Sequence, residues 1–166
     1  MYKKMLLFFL MIVLISCNDN KEIYNKNLVH FKMLVHDLNT YFSDSLLVDL
    51  QISNYYTEDF IFYSFPAGNR KGIETSKEDY INGFKEMKDI DMCLDIIHSI
   101  YLPGINEHSH DLDGSVRVYY GAIISMVNDS VEFSGYQTVN FEEGKISAIW
   151  EWADYGGVNN QISETY

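Results

Sequence analysis

Three polar side chains interrupt a stretch that otherwise reads as the apolar face of a sheet: His98, Gln137 and Asp154. A histidine beside a carboxylate is the arrangement of a general base and its orienting group, so His98 and Asp154 form a candidate acid–base pair. The structural alternative is a satisfied core histidine and a carboxylate in water beyond the sheet edge. Gln137 suits either a structural hydrogen bond or recognition of a ligand. Tyr63, Tyr120, Trp150 and Trp152 add aromatic bodies with polar handles, and aromatic walls with few polar groups describe a small-molecule pocket.

Other chemistry is less well supported. His108, His110, Asp111 and Asp113 lie within six residues, but no HExxH or paired CxxC accompanies them, so the expectation is a solvated loop and no metal. No GxSxG, P-loop or dinucleotide fingerprint occurs, and no cofactor is expected. Cys93 lies between Met92 and Leu94 and reads as an inert, buried thiol.

The N-terminus reads as an address. Lys3 and Lys4 precede an apolar run of eleven residues, Met5 to Ile15, which is too short for a membrane span and suits a signal peptide. Leu14-Ile15-Ser16-Cys17 resembles a bacterial lipobox, which implies cleavage before Cys17 and a lipid on it. Membrane attachment through that lipid and a cell-envelope location, with the outer membrane expected, follow. The expected division is a signal peptide over 1–16, a lipidated Cys and tether over 17–22, a domain over 23–158 and a tail over 159–166. The chain carries a net charge of −12, and loss of Lys3 and Lys4 would leave −14. That balance excludes nucleic acid, whose phosphates demand Lys and Arg.

The elements that must hold these side chains follow from periodicity. Tyr24, Leu28, Phe31, Val35, Leu38 and Phe42 recur at helical steps and predict a helix over 21–41, with His30 and His36 off the stripe and in solvent. Ser43-Asp44-Ser45 is expected to cap a second helix carrying Leu47, Leu50 and Asn54. Asp59 to Tyr63 reads as a strand, and Ser76 with Asp79 reads as the capping box of a third helix. From residue 92 the period becomes two, predicting strands over 94–101, 115–127, 130–141 and 145–155.

Two-residue turns at Asn128-Asp129 and Glu143-Gly144 predict a register. Ile124 then faces Phe133, Tyr120 faces Gln137, Phe141 faces Ile146 and Gln137 faces Trp150. One face would carry Val116, Val118, Tyr120, Ala122, Val131, Phe133, Val139, Trp150, Trp152 and Asp154; the other is mixed and includes Tyr119, Ile123, Tyr136 and Ile149. An apolar sheet face of this extent needs covering helices, which predicts an α+β fold.

Three stretches carry a family resemblance: Tyr55-Tyr56-Thr57-Glu58-Asp59-Phe60, Gly72-Ile73-Glu74, and Phe141 to Ile146 followed by Trp150 to Asp154. With the element order, they resemble the nuclear transport factor 2-like superfamily, nearest its SnoaL-like branch. The resemblance implies a cone: a strongly curved antiparallel sheet wrapped around three N-terminal helices, the cystatin-like α+β barrel, with a cavity at its open end. It also implies either a ligand-binding protein or a lyase, isomerase or hydrolase that uses an acid–base Asp on the last strand, where Asp154 is the matching position. A homodimer through the mixed sheet face is the corresponding expectation for partners.

Overall fold

The computed structural model describes residues 2–127 and 129–163, with side chains described for 20–127 and 129–162. The lipobox expectation, centred on Cys17, therefore lies outside the described side chains, as does Asn128. Chain order is α1 (Tyr2–Ser43), a 3-10 turn (Ser53–Tyr55), β1 (Tyr56–Ser64), β2 (Ile73–Ser76), α2 (Lys77–Asp89), β3 (Cys93–Ile105), β4 (Leu112–Met126), β5 (Asp129–Glu142), β6 (Lys145–Ala153) and α3 (Tyr155–Ser163). Among the described residues no helix is long and apolar enough to cross a membrane.

The six strands form one open sheet in the order β2-β1-β6-β5-β4-β3. Only the β1–β6 pair is parallel. Its curved inner face packs on the stripe of α1 expected from the sequence, where Phe31, Leu34, Leu38, Tyr41 and Phe42 are buried against Tyr56, Phe60, Val116, Val118, Ala122 and Val139. The α+β cone is thus present, with one of its three helices placed after the sheet. His30 departs from expectation. It is half-buried, with its ring 4.8 Å from that of Tyr55 and Nε2 3.3 Å from the Tyr55 carbonyl.

The second expected helix does not form. Residues 44–52 run as a turn and extended chain. The ammonium of Lys88, at the end of α2, holds this segment instead. It donates to the carbonyls of Tyr41, Asp44 and Leu47, the last two at 2.8 Å, and lies over the Tyr41 ring at 4.1 Å from its centre. The Asp44 carbonyl also accepts from the Leu47 N–H at 3.2 Å, so this segment closes as a turn around the cation. The α2 start is as expected: Ser76 Oγ accepts from the Asp79 backbone N–H at 3.2 Å and donates to its carboxylate at 2.7 Å.

The register differs from expectation in two ways. In the β4–β5 hairpin Met126 pairs with Asp129, Ile124 with Val131 and Tyr120 with Gly135, a shift of two residues that leaves every side chain on its expected face. In the β5–β6 hairpin Phe141 pairs with Ile146 as expected, but Asn140 pairs with Ala148, so Ser147 is an extra residue. This bulge moves every later β6 side chain to the other face. Ile149 and Glu151 turn inward and are buried, whereas Trp150 and Trp152 turn outward. A second bulge, at Ile97 of β3, does the same to His98.

Candidate functional site

The β6 bulge places a carboxylate where the sequence pattern called for tryptophan. Glu151 is 3 % exposed and lies on the wall of a cavity of about 310 Å³ between the sheet, α1 and α2. The rest of the lining is mainly apolar, with Leu34, Phe62, Phe84, Met87, Phe133 and Ile149 among its residues. A buried carboxylate needs donors to offset its desolvation. Among the described residues Glu151 has three: the Tyr120 hydroxyl at 2.6 Å and Gln137 Nε2 at 2.5 Å, both to Oε1, and the Tyr155 hydroxyl at 2.6 Å to Oε2. Three different elements, β4, β5 and α3, therefore converge on one side chain of β6.

Those phenols are held strongly in their neutral form. Burial raises the Tyr120 and Tyr155 hydroxyls above the ordinary tyrosine range, and the Glu151 charge adds to both. Tyr80 on α2 also lines the cavity, raised first by burial and then by the proximity of Tyr56. Its ring stacks on Phe62 at 4.6 Å and is braced by Phe84 at 5.0 Å and Phe60 at 5.4 Å, which fixes its direction. Neither oxygen of Glu151 takes the Tyr80 proton. The neighbouring Tyr56 is fully buried, and its hydroxyl has no hydrogen-bond partner of good geometry among the described residues.

The residues singled out from the sequence separate into three places. Tyr120 and Gln137 line the cavity. Tyr63 and Trp150 stack on each other across β1 and β6 at 5.4 Å, on the outer face. Trp152 stacks on Phe65 at 4.5 Å and, with Asp154, lines a second hollow beside α3 that adjoins the first through Glu151 and Tyr155. Asp154 accepts from the Gly157 N–H at 2.9 Å and so caps α3. His98 is exposed on the outer face, with its ring lying over Gly121. The structure therefore does not bring His98 and Asp154 into one cavity. His108 is exposed in its loop, 3.4 Å from Glu107. Cys93 is half-buried, its thiol 3.9 Å from the Phe42 carbonyl.

Alternation assigns Glu151 to the outer face, because the even positions of 146–152 are all apolar, Ile146, Ala148, Trp150 and Trp152, whereas the odd ones are Ser147, Ile149 and Glu151. A signal was present in the isolated glutamate between two tryptophans. A residue between bulky aromatics is either their solvent-facing neighbour or the one inward group, and only the bulge decides which.

The fold is shared with solved proteins. An NTF2-like protein from Anabaena variabilis matches with a TM-score of 0.55 at 16% identity, over 77% of this chain and 89% of the other. The BvnE pinacolase from Penicillium brevicompactum matches with a TM-score of 0.59 at 14% identity, over 86% and 91%. A candidate SnoaL-like polyketide cyclase from Jannaschia matches with a TM-score of 0.55 at 11% identity, over 82% and 90%. The fold is therefore the NTF2-like cone. At the level of sequence, no family model and no curated protein matches.

Proposed function

We propose that this chain is a SnoaL-like acid–base enzyme, a lyase, isomerase or hydrolase of a small and largely apolar molecule, with Glu151 as the group that moves the proton. The observation that carries this reading is Glu151 itself: a carboxylate 3 % exposed, oriented by three donors, inside an apolar cavity. Water exclusion and fixed orientation are what a general base needs. Glu151 would take a proton from a carbon beside a carbonyl or imine, and the electron pair of that C–H bond would pass to the heteroatom. Tyr80, a cavity phenol that does not donate to Glu151, would turn its hydroxyl from the neighbouring Tyr56 to hydrogen-bond that heteroatom. Return of the proton from Glu151 at another carbon would complete an isomerisation. Asp154, the position expected from the resemblance, lies outside the cavity and caps α3, so the acid–base role passes to Glu151.

The test is deuterium wash-in. The full-length chain in D2O is incubated with a panel of cyclic ketones and aminoketones, and loss of the α-proton signals is followed by NMR. Exchange should be catalysed by the wild type and fall at least about 100-fold in Glu151→Gln. Exchange unaffected by that change would remove Glu151 from the chemistry. Ligand binding without exchange would leave a binding cavity, the other reading of this fold.

The same proposal places the protein at the cell envelope, held by lipid on Cys17. The basic-then-apolar N-terminus and Leu14-Ile15-Ser16-Cys17 support it. Cys17→Ser should move the protein from the membrane fraction to the soluble fraction, and the mass of the N-terminal peptide should lose its acyl chains.

A further inference from the structure

The charge balance of the cavity points to the class of molecule it takes. Two carboxylates, Glu151 and Asp79, are in its lining, and no Lys, Arg or His is among the described lining residues. Glu151 is buried and makes no ion pair among the described residues; its three partners are all neutral. A buried carboxylate held only by neutral donors retains an unbalanced negative charge. The hydrogen-bond inventory adds to this. Tyr120 and Tyr155 already give their protons to Glu151, so what these two oxygens offer a ligand is lone pairs. The surrounding wall is rich in aromatic rings, Phe31, Phe62, Phe84 and Phe133 among them, whose faces attract cations.

We propose that the cavity binds a small organic cation: an apolar body bearing one protonated nitrogen, seated with the nitrogen against Glu151, Tyr120 and Tyr155. Anions are repelled by the buried Glu151, with Asp79 exposed at the rim in the α2 cap, and a neutral molecule leaves the Glu151 charge unmatched. The inference rests on the reading of Glu151 as the group that meets the ligand, but not on its moving a proton.

The test compares two isosteric probes, 2-phenylethylammonium and 2-phenylethanol, on the full-length chain in a nonionic detergent at low salt. Binding is read from protein NMR shifts. The ammonium should bind about tenfold more tightly, and Glu151→Gln should bring the two affinities together. Equal affinities in the wild type, tighter binding of the alcohol, or a preference that survives Glu151→Gln would overturn the proposal. So would the absence of binding by either probe. Should Glu151→Gln fail to fold, N-benzylmorpholine serves on the wild type alone: it should bind more tightly below its own pKa than above it, and an affinity independent of its ionisation overturns the proposal. A preference for the ammonium without deuterium wash-in removes the acid–base reading and leaves this one. Wash-in without the preference does the reverse.

Discussion

The Tyr120 hydroxyl reaches Glu151 across an entire strand. Tyr120 is on β4 and Glu151 on β6, with β5 between them, yet the oxygens are 2.6 Å apart. Gly135, which pairs with Tyr120, makes this possible: a Cβ there would lie 2.4 Å from the phenol oxygen. The glycine is required by close approach, since its backbone is not in the left-handed region.

Gly135→Ala should therefore displace Tyr120 and open its bond to Glu151. Overpacking of this kind costs about 1–3 kcal/mol, and a chain of this size loses roughly 2–4 °C of Tm per kcal/mol. Thermal unfolding followed by circular dichroism measures it. Because the collision involves the Tyr120 ring, Gly135→Ala with Tyr120→Ala should lose less than the sum of the two single changes. Additive losses would show that the two residues do not share this contact.

Removal of the carboxylate leaves three donors facing a void. Glu151→Ala should cost about 2–4 kcal/mol, because each buried donor left without an acceptor carries its own desolvation penalty. Tyr155→Phe removes one donor and leaves Glu151 two, and should cost about 1 kcal/mol. Urea unfolding distinguishes them. Equal losses in the two variants would contradict the convergence on Glu151.

Alkaline pH should destabilise the chain. Burial raises Tyr55, Tyr56, Tyr80, Tyr120 and Tyr155 in the folded state, Tyr55 to about 12 with the Asp37 hydrogen bond contributing. Unfolded tyrosines titrate near about 10. Above that pH the unfolded chain has lost protons that the folded chain keeps, so stability is full below about pH 10 and falls as pH rises beyond it. Tm should be insensitive to tyrosine ionisation up to about pH 9 and then drop, less steeply in Tyr155→Phe. A profile as steep in that variant as in the wild type would remove Tyr155 from the linkage.

Gly83 offers a change that keeps the fold. It lies inside α2 on the cavity wall, and an added Cβ would meet nothing within 4 Å. Helix propensity alone predicts that Gly83→Ala raises stability by about 1 kcal/mol. Gly83→Leu projects further into the cavity and should abolish binding of the ammonium probe while Tm stays at or above the wild-type value. Retained binding in Gly83→Leu would place the ligand elsewhere.

The elements set by local chemistry were legible in the residues alone. The spacing of Phe31, Leu38 and Phe42 predicts α1, the Ser76–Asp79 box starts α2, and the alternation from Val116 to Ile124 assigns the faces of β4. Each depends on neighbours a few positions away, and side-chain periodicity records that directly. The two-residue slip between β4 and β5 did no harm, because it preserves parity. In place of the expected second helix, residues 44–52 are held by a distant group, the Lys88 ammonium, that no local pattern contains.

The site was decided by the tertiary structure. One unpaired residue, Ser147, inverts the parity of all that follows on β6, exchanging Trp150 and Trp152 for Ile149 and Glu151 on the inner face. One more, Ile97, takes His98 outside, just after Asn39 of α1 has bound both backbone groups of Ile96 at 3.0 and 3.1 Å. On β3 both parities carry apolar side chains, and on β6 the alternation favours the parity of Trp150 and Trp152, so hydrophobic patterning records neither bulge. The choice falls to long-range terms: three donors for a buried carboxylate, and flat aromatic partners, Tyr63 and Phe65, for the two tryptophans. The sequence alone determined the curved sheet and two of its covering helices, α1 and α2, but neither the absent second helix nor α3. Only the folded chain determined that its polar centre is Glu151.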